Sequence, residues 1–411
     1  MAKLFTNARL YQEDEQVFRP NAWFVVANDH IVSRGTNDVP SDFSSLETTD
    51  LQDHYVMPSL INTHVHIANR VFPVGANQLI KTDEERIQNG LANLQTLQQN
   101  GVAFARALAT TNDLDIDIAK RAEQQNMIGL QTAGRAITTV GGHGSKQGIV
   151  VATPAEMRAA VRGHFLAGVD NIKLFASGGI AFSPNEQPDD VQMSFELIQA
   201  AAQAVHEKSH ARLAVHEEAL EGVKIALRAG ADGIEHAFDA DEEAINLFLK
   251  TGATLTPTLT APYVIVKRGD GILPEWMVKT AYKWAPRHMR ALGQYAKAGV
   301  KLTLGTDAGS PLNGFNDTAL EAQLMVMAGA TPAQVLQAAT INGAELLHIE
   351  SEYGHLKTGA MANFIVMDQS PLENITAVNL PTVYYKGKLV SEAPDRSGEL
   401  QYPLNKGSLD Y

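Results

Sequence analysis

The chain of 411 residues contains no cysteine, which excludes disulfide bonds and thiolate metal ligands. Any metal must therefore be held by His, Asp, Glu or a modified side chain. No apolar run is long enough to cross a membrane, and no apolar leader with a small-residue cleavage site is present, so we expect a cytoplasmic protein. Positive charge is also scarce: the net charge is −13 and no basic stripe offsets it, so neither nucleic acid nor an anionic membrane is an expected partner.

Hydrophobic residues make up 45% of the chain and charged residues 19%, and no tract is of low complexity. These values are ordinary for a folded globular protein. The length suits one large barrel of roughly 250 to 300 residues with a smaller domain beside it.

The two ends of the chain share a pattern of short strands and turns, whereas the middle alternates strand-like apolar runs with helical periodicity. We therefore predict an α/β protein in which residues 1–56 and 348–411 form one β-sandwich domain and residues 57–347 form a (β/α)8 TIM barrel. Helices are predicted at 195–209, with Ser194 as N-cap, and at 332–347, with Thr331 as N-cap. The eight barrel strands are predicted at 59–66, 102–107, 128–133, 171–176, 212–216, 233–237, 254–260 and 301–307.

His64 and His66 alternate with apolar residues in the first predicted barrel strand, so both imidazoles face one side. Two imidazoles on one rigid strand suit a zinc-type ion. Composition alone would produce roughly 0.4 His-x-His motifs in such a chain, so the pair needs further ligands to be informative.

Lys173 lies in an otherwise apolar predicted strand, where a cationic side chain is costly without compensation. Three interpretations are open. The lysine could extend to the rim or pair with a carboxylate, it could form a Schiff base, or it could react with carbon dioxide to give a carbamate that bridges two metal ions.

Further polar residues end other predicted strands: His216, His236 and, in the last strand, Asp307. Any one of them could be a packing or turn residue. Histidines at three strand ends, on the side where a barrel carries its chemistry, are far harder to explain by packing.

With these residues in place, the chain resembles the amidohydrolase superfamily of metal-dependent hydrolases. The resemblance covers nearly the whole chain, including the His-x-His, the Lys173 strand, the Gly-Thr-Asp at 305–307 and the flanking strands. Asn363 stands where the family usually has aspartate, at a position remote from the chemistry.

The resemblance implies a binuclear zinc site with a water-derived hydroxide between the ions, and Asp307 as the group that shuttles a proton to the leaving amine. It also implies carbon dioxide as a cofactor, bound as a carbamate on Lys173. The implied ligands are His64, His66 and Asp307 for one ion, His216 and His236 for the other, and carbamylated Lys173 between them.

The Gly-Gly-His at 141–143 and the Thr-Pro-Thr-Leu at 256–259 resemble the branch with imidazolonepropionases and Xaa-Pro dipeptidases. That branch implies substrate binding by His143, and Tyr263 is a second candidate. The alternative for His143 is a loop histidine in solvent.

We therefore expect a homo-oligomeric hydrolase that cleaves an amide bond in a dipeptide or N-acyl amino acid. The alternative is a mononuclear cyclic amide hydrolase or deaminase, because such enzymes place a glutamate near the fifth-strand histidine. Strand parity would aim Glu218 to that side, although Glu217 and Glu218 are expected to begin the next helix. A barrel that only binds a metal or a partner is disfavoured by the complete ligand set.

Overall fold

The computed structural model describes residues 2–72 and 75–394, which form seventeen strands and twelve α-helices. The strands are β1 Lys3–Gln12, β2 Val17–Ala27, β3 His30–Thr36, β4 Glu47–Asp50, β5 Tyr55–Pro58, β6 Leu60–Val65, β7 Val102–Ala107, β8 Gly129–Gln131, β9 Ile137–Thr139, β10 Ile149–Val151, β11 Ile172–Phe175, β12 Leu213–Glu217, β13 Gly233–His236, β14 Thr254–Thr256, β15 Phe364–Met367, β16 Thr382–Tyr385 and β17 Lys388–Ser391. The helices are α1 Ala76–Leu79, α2 Asp83–Gln99, α3 Asp115–Gln124, α4 Pro154–Ala167, α5 Phe195–Val205, α6 Leu220–Ala229, α7 Glu242–Thr251, α8 Thr260–Arg268, α9 Glu275–Lys297, α10 Thr318–Ala328, α11 Pro332–Ala338 and α12 Ile341–Leu347.

The middle of the chain folds into parallel sheets connected by helices, as its alternating pattern predicts. One sheet has the order β6-β7-β8 and the other β10-β9-β11-β12-β13-β14, with parallel pairing throughout both. The α/β class is therefore confirmed. Parallel strands carry their carboxyl ends to one edge, which is where the singled-out histidines lie.

The prediction of a regular eighth strand at 301–307 is wrong, because among the described residues this segment pairs only through isolated bridges. It still lies between the two sheets. Thr63 N–H donates to the Leu304 carbonyl at 2.8 Å, and Leu255 N–H donates to the Lys301 carbonyl at 2.9 Å. The left-handed φ of +60° at Asp307 ends the extended run. The closed eight-stranded barrel stays a prediction.

The two predicted helices are shorter than their periodicity indicates. The first ends at Val205, and its N-cap Ser194 makes no capping hydrogen bond through its side chain. The second begins with a capping box at Thr331, as predicted, but Thr340 has non-helical dihedral angles and separates α11 from α12.

Strands from both chain ends form one eight-stranded sheet of order β17-β16-β15-β5-β1-β2-β3, with β4 paired to β1. Within the described residues, strands of both chain ends therefore share one sheet, and the composite sandwich domain stays a prediction. Residues 395–411 of that predicted domain lie outside the described residues. Strand β5 ends at Pro58 and β6 begins at Leu60, so this sheet leads directly into the strand that carries His64.

Four aromatic side chains pack together in the core of this eight-stranded sheet: Phe5, Phe24, Phe364 and Tyr384. Their ring centroids lie 4.6 to 5.5 Å apart in stacked and edge-to-face pairs. Burying each ring contributes about 1.5 to 3 kcal/mol, which is the main stabilisation available to so small a layer. No helix in the described part of the chain is both long and apolar enough to span a bilayer.

Candidate metal centre

His64, His66 and Asp307 converge at the carboxyl end of β6, as predicted. One potential ligand atom from each lies within 4.8 Å of the others. The Nε2 atoms of His64 and His66 lie 3.1 and 2.8 Å from the same oxygen, Oδ1 of Asp307. Burial alone would raise the pKa of the Asp307 carboxyl, but the charges and hydrogen bonds of the two histidines hold it well below the usual value. Asp307 is therefore an anion aimed at two imidazole nitrogens.

A second group lies at the ends of β12 and β13 and consists of His216, Glu218 and His236. Their potential ligand atoms also lie within 4.8 Å of one another, and all three residues are buried. Burial lowers the pKa of both histidines well below the usual value, so both rings are neutral and can offer a lone pair to a metal.

Hydrogen bonds fix which nitrogen each of these rings can offer. His216 donates from Nε2 to the Gly178 carbonyl at 3.1 Å, which leaves Nδ1 free. His236 Nδ1 lies 2.6 Å from the Thr258 hydroxyl oxygen, and that hydroxyl itself donates to the Pro257 carbonyl. The hydroxyl therefore accepts from His236, whose Nε2 is left for a ligand.

The backbone of His236 departs from strand geometry in a way that the site requires. In the register of β12 with β13, Glu235 pairs with His216 and His236 pairs with Glu217. Residues paired in register share a face, so a regular His236 would follow Glu217 away from His216. A φ of +82° at His236 turns its side chain towards His216 instead.

Lys173 lies on β11 in register with Ala214, two residues before His216, and therefore faces the same side. It is fully buried, and its Nζ has no hydrogen-bond partner among the described residues. Burial lowers the pKa of its amine to about 8. The interpretation as a rim or ion-paired lysine is therefore wrong, whereas the Schiff-base and carbamate interpretations stay predictions.

The donor set suits divalent cations of the zinc type. Neutral imidazoles and carboxylate oxygens are the ligands such ions take when cysteine is absent. The unpartnered amine of Lys173 lines the same cavity as both groups, which is where a bridging ligand would have to lie. The residues present therefore fit two ions.

Glu217 and Glu218 do not begin the next helix, contrary to expectation. Glu217 is the last residue of β12, Glu218 follows it, and α6 starts only at Leu220. The Glu217 carboxylate packs against Gly222, where a Cβ atom would lie 2.2 Å away, and it accepts from Ala219 N–H at 3.2 Å. Burial raises the pKa of Glu218 well above the usual value, and neighbouring carboxylates add to the effect.

His143 is buried in the cavity wall, so the alternative of a solvent-exposed loop histidine is wrong. Its ring stacks on His216, with centroids 4.5 Å apart and planes 13° apart. Its Nδ1 lies 3.1 Å from a carboxylate oxygen of Glu186, and Nε2 is left for other contacts. Tyr263 is not brought to the cavity: Pro262 and Ile265 of α8 line it, whereas Tyr263 packs against the hydrophobic core.

Two site residues were missed by the sequence analysis: Glu235 and Arg106. His64 Nδ1 lies 2.7 Å from Glu235 Oε2, and an Arg106 NH2 donates to Glu235 Oε1 at 2.7 Å. Arg106 Nε also donates to the Thr63 carbonyl at 2.7 Å. The available signal was the one that singled out Lys173, a charged residue inside an apolar strand.

The cavity has a volume of about 510 Å³ and two contrasting sides. Segments after β6 and β9 contribute polar residues, whereas α8, α9 and the turn between them contribute an apolar wall. The apolar residues of this wall include Ile265, Ile272, Leu273 and Met277, and Phe238, which follows β13, also lines the cavity.

Comparison with known proteins gives consistent matches over most of the chain. The model of the amidohydrolase family matches residues 55–390. Ochratoxinase of Aspergillus niger is 27% identical and the match covers 91% of this chain and 83% of that protein. Imidazolonepropionase of Alkaliphilus oremlandii is 24% identical, with 90% of both chains covered. The crystal structure of a Xaa-Pro dipeptidase with bound methionine in the active site superposes with a TM-score of 0.86 at 26% identity, covering 95% of this chain and 99% of that one.

Proposed function

Because this chain belongs to the amidohydrolase family and is a metal-dependent hydrolase acting on carbon–nitrogen bonds, we propose that it cleaves the amide bond of a dipeptide or N-acyl amino acid with two divalent ions, zinc first among them. The observation that carries the proposal is the pair of ligand groups with an unpartnered buried lysine lining the same cavity.

Two ions held in this way would supply a Lewis acid for the scissile carbonyl and lower the pKa of a water molecule. The chain contributes the rest. Asp307 accepts the proton of the attacking water at its carboxylate and passes it to the leaving amine. The low pKa of Lys173 leaves roughly a tenth of its amine neutral at pH 7, and the neutral amine is the form that reacts with carbon dioxide.

The shape of the cavity supports an amide with an apolar group on one side and a polar group on the other. The wall formed by α8 and α9 suits an aromatic or branched apolar substituent. The name Xaa-Pro dipeptidase belongs to a protein similar over most of this chain and agrees with amide cleavage. His143, with Nε2 free, contacts the amide oxygen or the terminal carboxylate of the substrate.

A second candidate is a mononuclear cyclic amide hydrolase or deaminase. The observation in its favour is Glu218, whose buried Oε2 has no partner and which lies with His216 and His236. A protonated carboxyl at that position can donate a proton to a ring nitrogen or a leaving amine. The similarity to imidazolonepropionase agrees with this alternative.

Metal content and a hydrolysis screen test the proposal together. Purified protein should hold close to two zinc or similar ions per chain, and replacing His64 or His66 should remove at least one and abolish turnover. The screen should compare dipeptides, N-acyl amino acids and cyclic amides. One ion per chain with turnover of cyclic amides alone would favour the second candidate, and a fully active metal-free preparation would refute both.

A further inference from the structure

Three cationic side chains line the cavity, and they differ in how their charge is compensated. They are Arg70, Arg135 and Lys173. Lys173 lies among the candidate ligands, and Arg135 is paired with Asp113, which accepts from its Nε and NH2 atoms at 3.1 to 3.3 Å. Among the described residues, Arg70 forms no ion pair. The nearby Glu85 uses its carboxylate to accept the backbone N–H groups of Lys81 and Thr82.

The Arg70 guanidinium is oriented by hydrogen bonding although it forms no salt bridge with a described residue. Its Nε donates to Asn89 Oδ1 of α2 at 3.2 Å, and no described residue accepts from the terminal nitrogens of the fork. The backbone N–H of Arg70 donates to Asn77 Oδ1 at 3.3 Å. A guanidinium held by one edge is prepared to bind a planar anion with the other.

The segment that carries Arg70 is fastened to the candidate metal ligands. Two asparagines of α2 donate to its carbonyls: Asn89 to Asn69 at 2.9 Å and Asn93 to Ile67 at 2.7 Å. Asn69 in turn donates to the Gly309 carbonyl at 3.1 Å, two residues after Asp307. These hydrogen bonds therefore fix the position of Arg70 relative to the candidate ligands His66 and Asp307.

We propose that Arg70 is the residue that binds the substrate's carboxylate, and that the substrate is therefore a dipeptide or N-acyl amino acid with a free carboxylate beside the scissile amide and an apolar side chain or acyl group. This inference rests on the proposed amide hydrolysis. His143 is less suited to the carboxylate, because its ring already lies 3.1 Å from the carboxylate of Glu186. A second anion there would be repelled, so His143 is left to contact the amide oxygen.

The test uses two substrates that differ only in the carboxylate: N-benzoyl-L-phenylalanine and N-benzoyl-2-phenylethylamine, with release of benzoate as the readout. For Arg70→Met, kcat/KM for the acid should fall about 10- to 100-fold, mainly through KM, as expected for loss of a charge-assisted hydrogen bond. The same variant should change kcat/KM for N-benzoyl-2-phenylethylamine, the amide without a carboxylate, by less than about 3-fold. Arg70→Lys keeps the charge without the planar fork and should lose less than Arg70→Met.

Arg135→Met is the matched control, because Arg135 lines the same cavity but is paired with Asp113. It should change both substrates by the same factor, and His143→Ala should also lower both equally. If Arg70→Met lowers both substrates equally, or neither, the assignment of Arg70 is overturned while the proposed hydrolysis stands. If the wild-type protein releases benzoate from neither substrate and fails the wider amide screen, the proposed function itself fails.

Discussion

The buried pair of Arg106 and Glu235 should stabilise the fold and orient His64, and these two effects can be separated by mutation. Both side chains are 0% exposed. Burial alone would raise the pKa of Glu235, but the charges of Arg106 and His64 lower it to about 2. Removing one partner leaves the other charge buried without compensation, which costs about 3 to 5 kcal/mol.

Arg106→Met and Glu235→Leu should therefore each destabilise the metal-free protein by about that amount. The double variant removes both charges of the pair, and neutral replacement of a buried pair is often tolerated, so most of the lost stability should return. Zinc affinity should not return. His64 Nδ1 would have lost its carboxylate acceptor, and loss of such a partner lowers metal affinity about 10- to 100-fold.

Urea unfolding of the metal-free variants, followed by circular dichroism, measures the first effect, and competition with a chromophoric zinc chelator measures the second. Arg121→Met is the matched control, since it breaks an exposed Arg–Glu pair with Glu84 at 2.7 Å and should change neither quantity appreciably. The reasoning is refuted if the double variant is as unstable as the singles, or if it binds zinc with wild-type affinity.

Three further outcomes are expected. Lys173→Ala should be inactive and should hold fewer ions by metal analysis. Short carboxylic acids should restore part of its turnover. Normal metal content and a normal rate would exclude the bridging role. Asp307→Asn keeps its shape but cannot take a proton, so kcat should fall roughly 10²-fold or more, and a change confined to KM would contradict the proton shuttle. Burial raises the pKa of Asp115 from 3.8 to about 6, so its contribution to stability is full below about pH 4 and is lost as pH rises through 6. Asp115→Asn should therefore remove about 3 kcal/mol of pH dependence between those values, measured as unfolding free energy against pH.

The candidate ligands could be found from sequence because each needs only a residue type and a place at the end of a strand. The β/α alternation places the ends of successive parallel strands at one edge, so His64, His216 and His236 converge without knowledge of any contact. Strand parity likewise aimed Glu218 correctly, because β12 is regular up to Glu217.

The contacts that tune these ligands could not be found in the same way. His143 and Glu186 are 43 positions apart on two loops, and the pairing of Arg106 with Glu235 depends on how β7 and β13 face each other. The left-handed backbone of His236 could not be predicted from the sequence either, because histidine has no strong intrinsic preference for a positive φ. Parity alone would have placed His236 on the wrong side of β13.

The state of Lys173 links the binding of metal to the chemistry of the lysine itself. Its amine is buried without an acceptor, and as an ammonium it would lie beside the same cavity that collects both ligand groups. A cation there opposes the entry of divalent ions, whereas a carbamate replaces the positive charge with one negative charge shared by two oxygens. The low pKa of the amine favours the neutral form that this conversion requires. In the proposed binuclear site, binding of the ions and loss of the lysine's charge would favour each other, so replacement of Lys173 should reduce metal content as well as turnover.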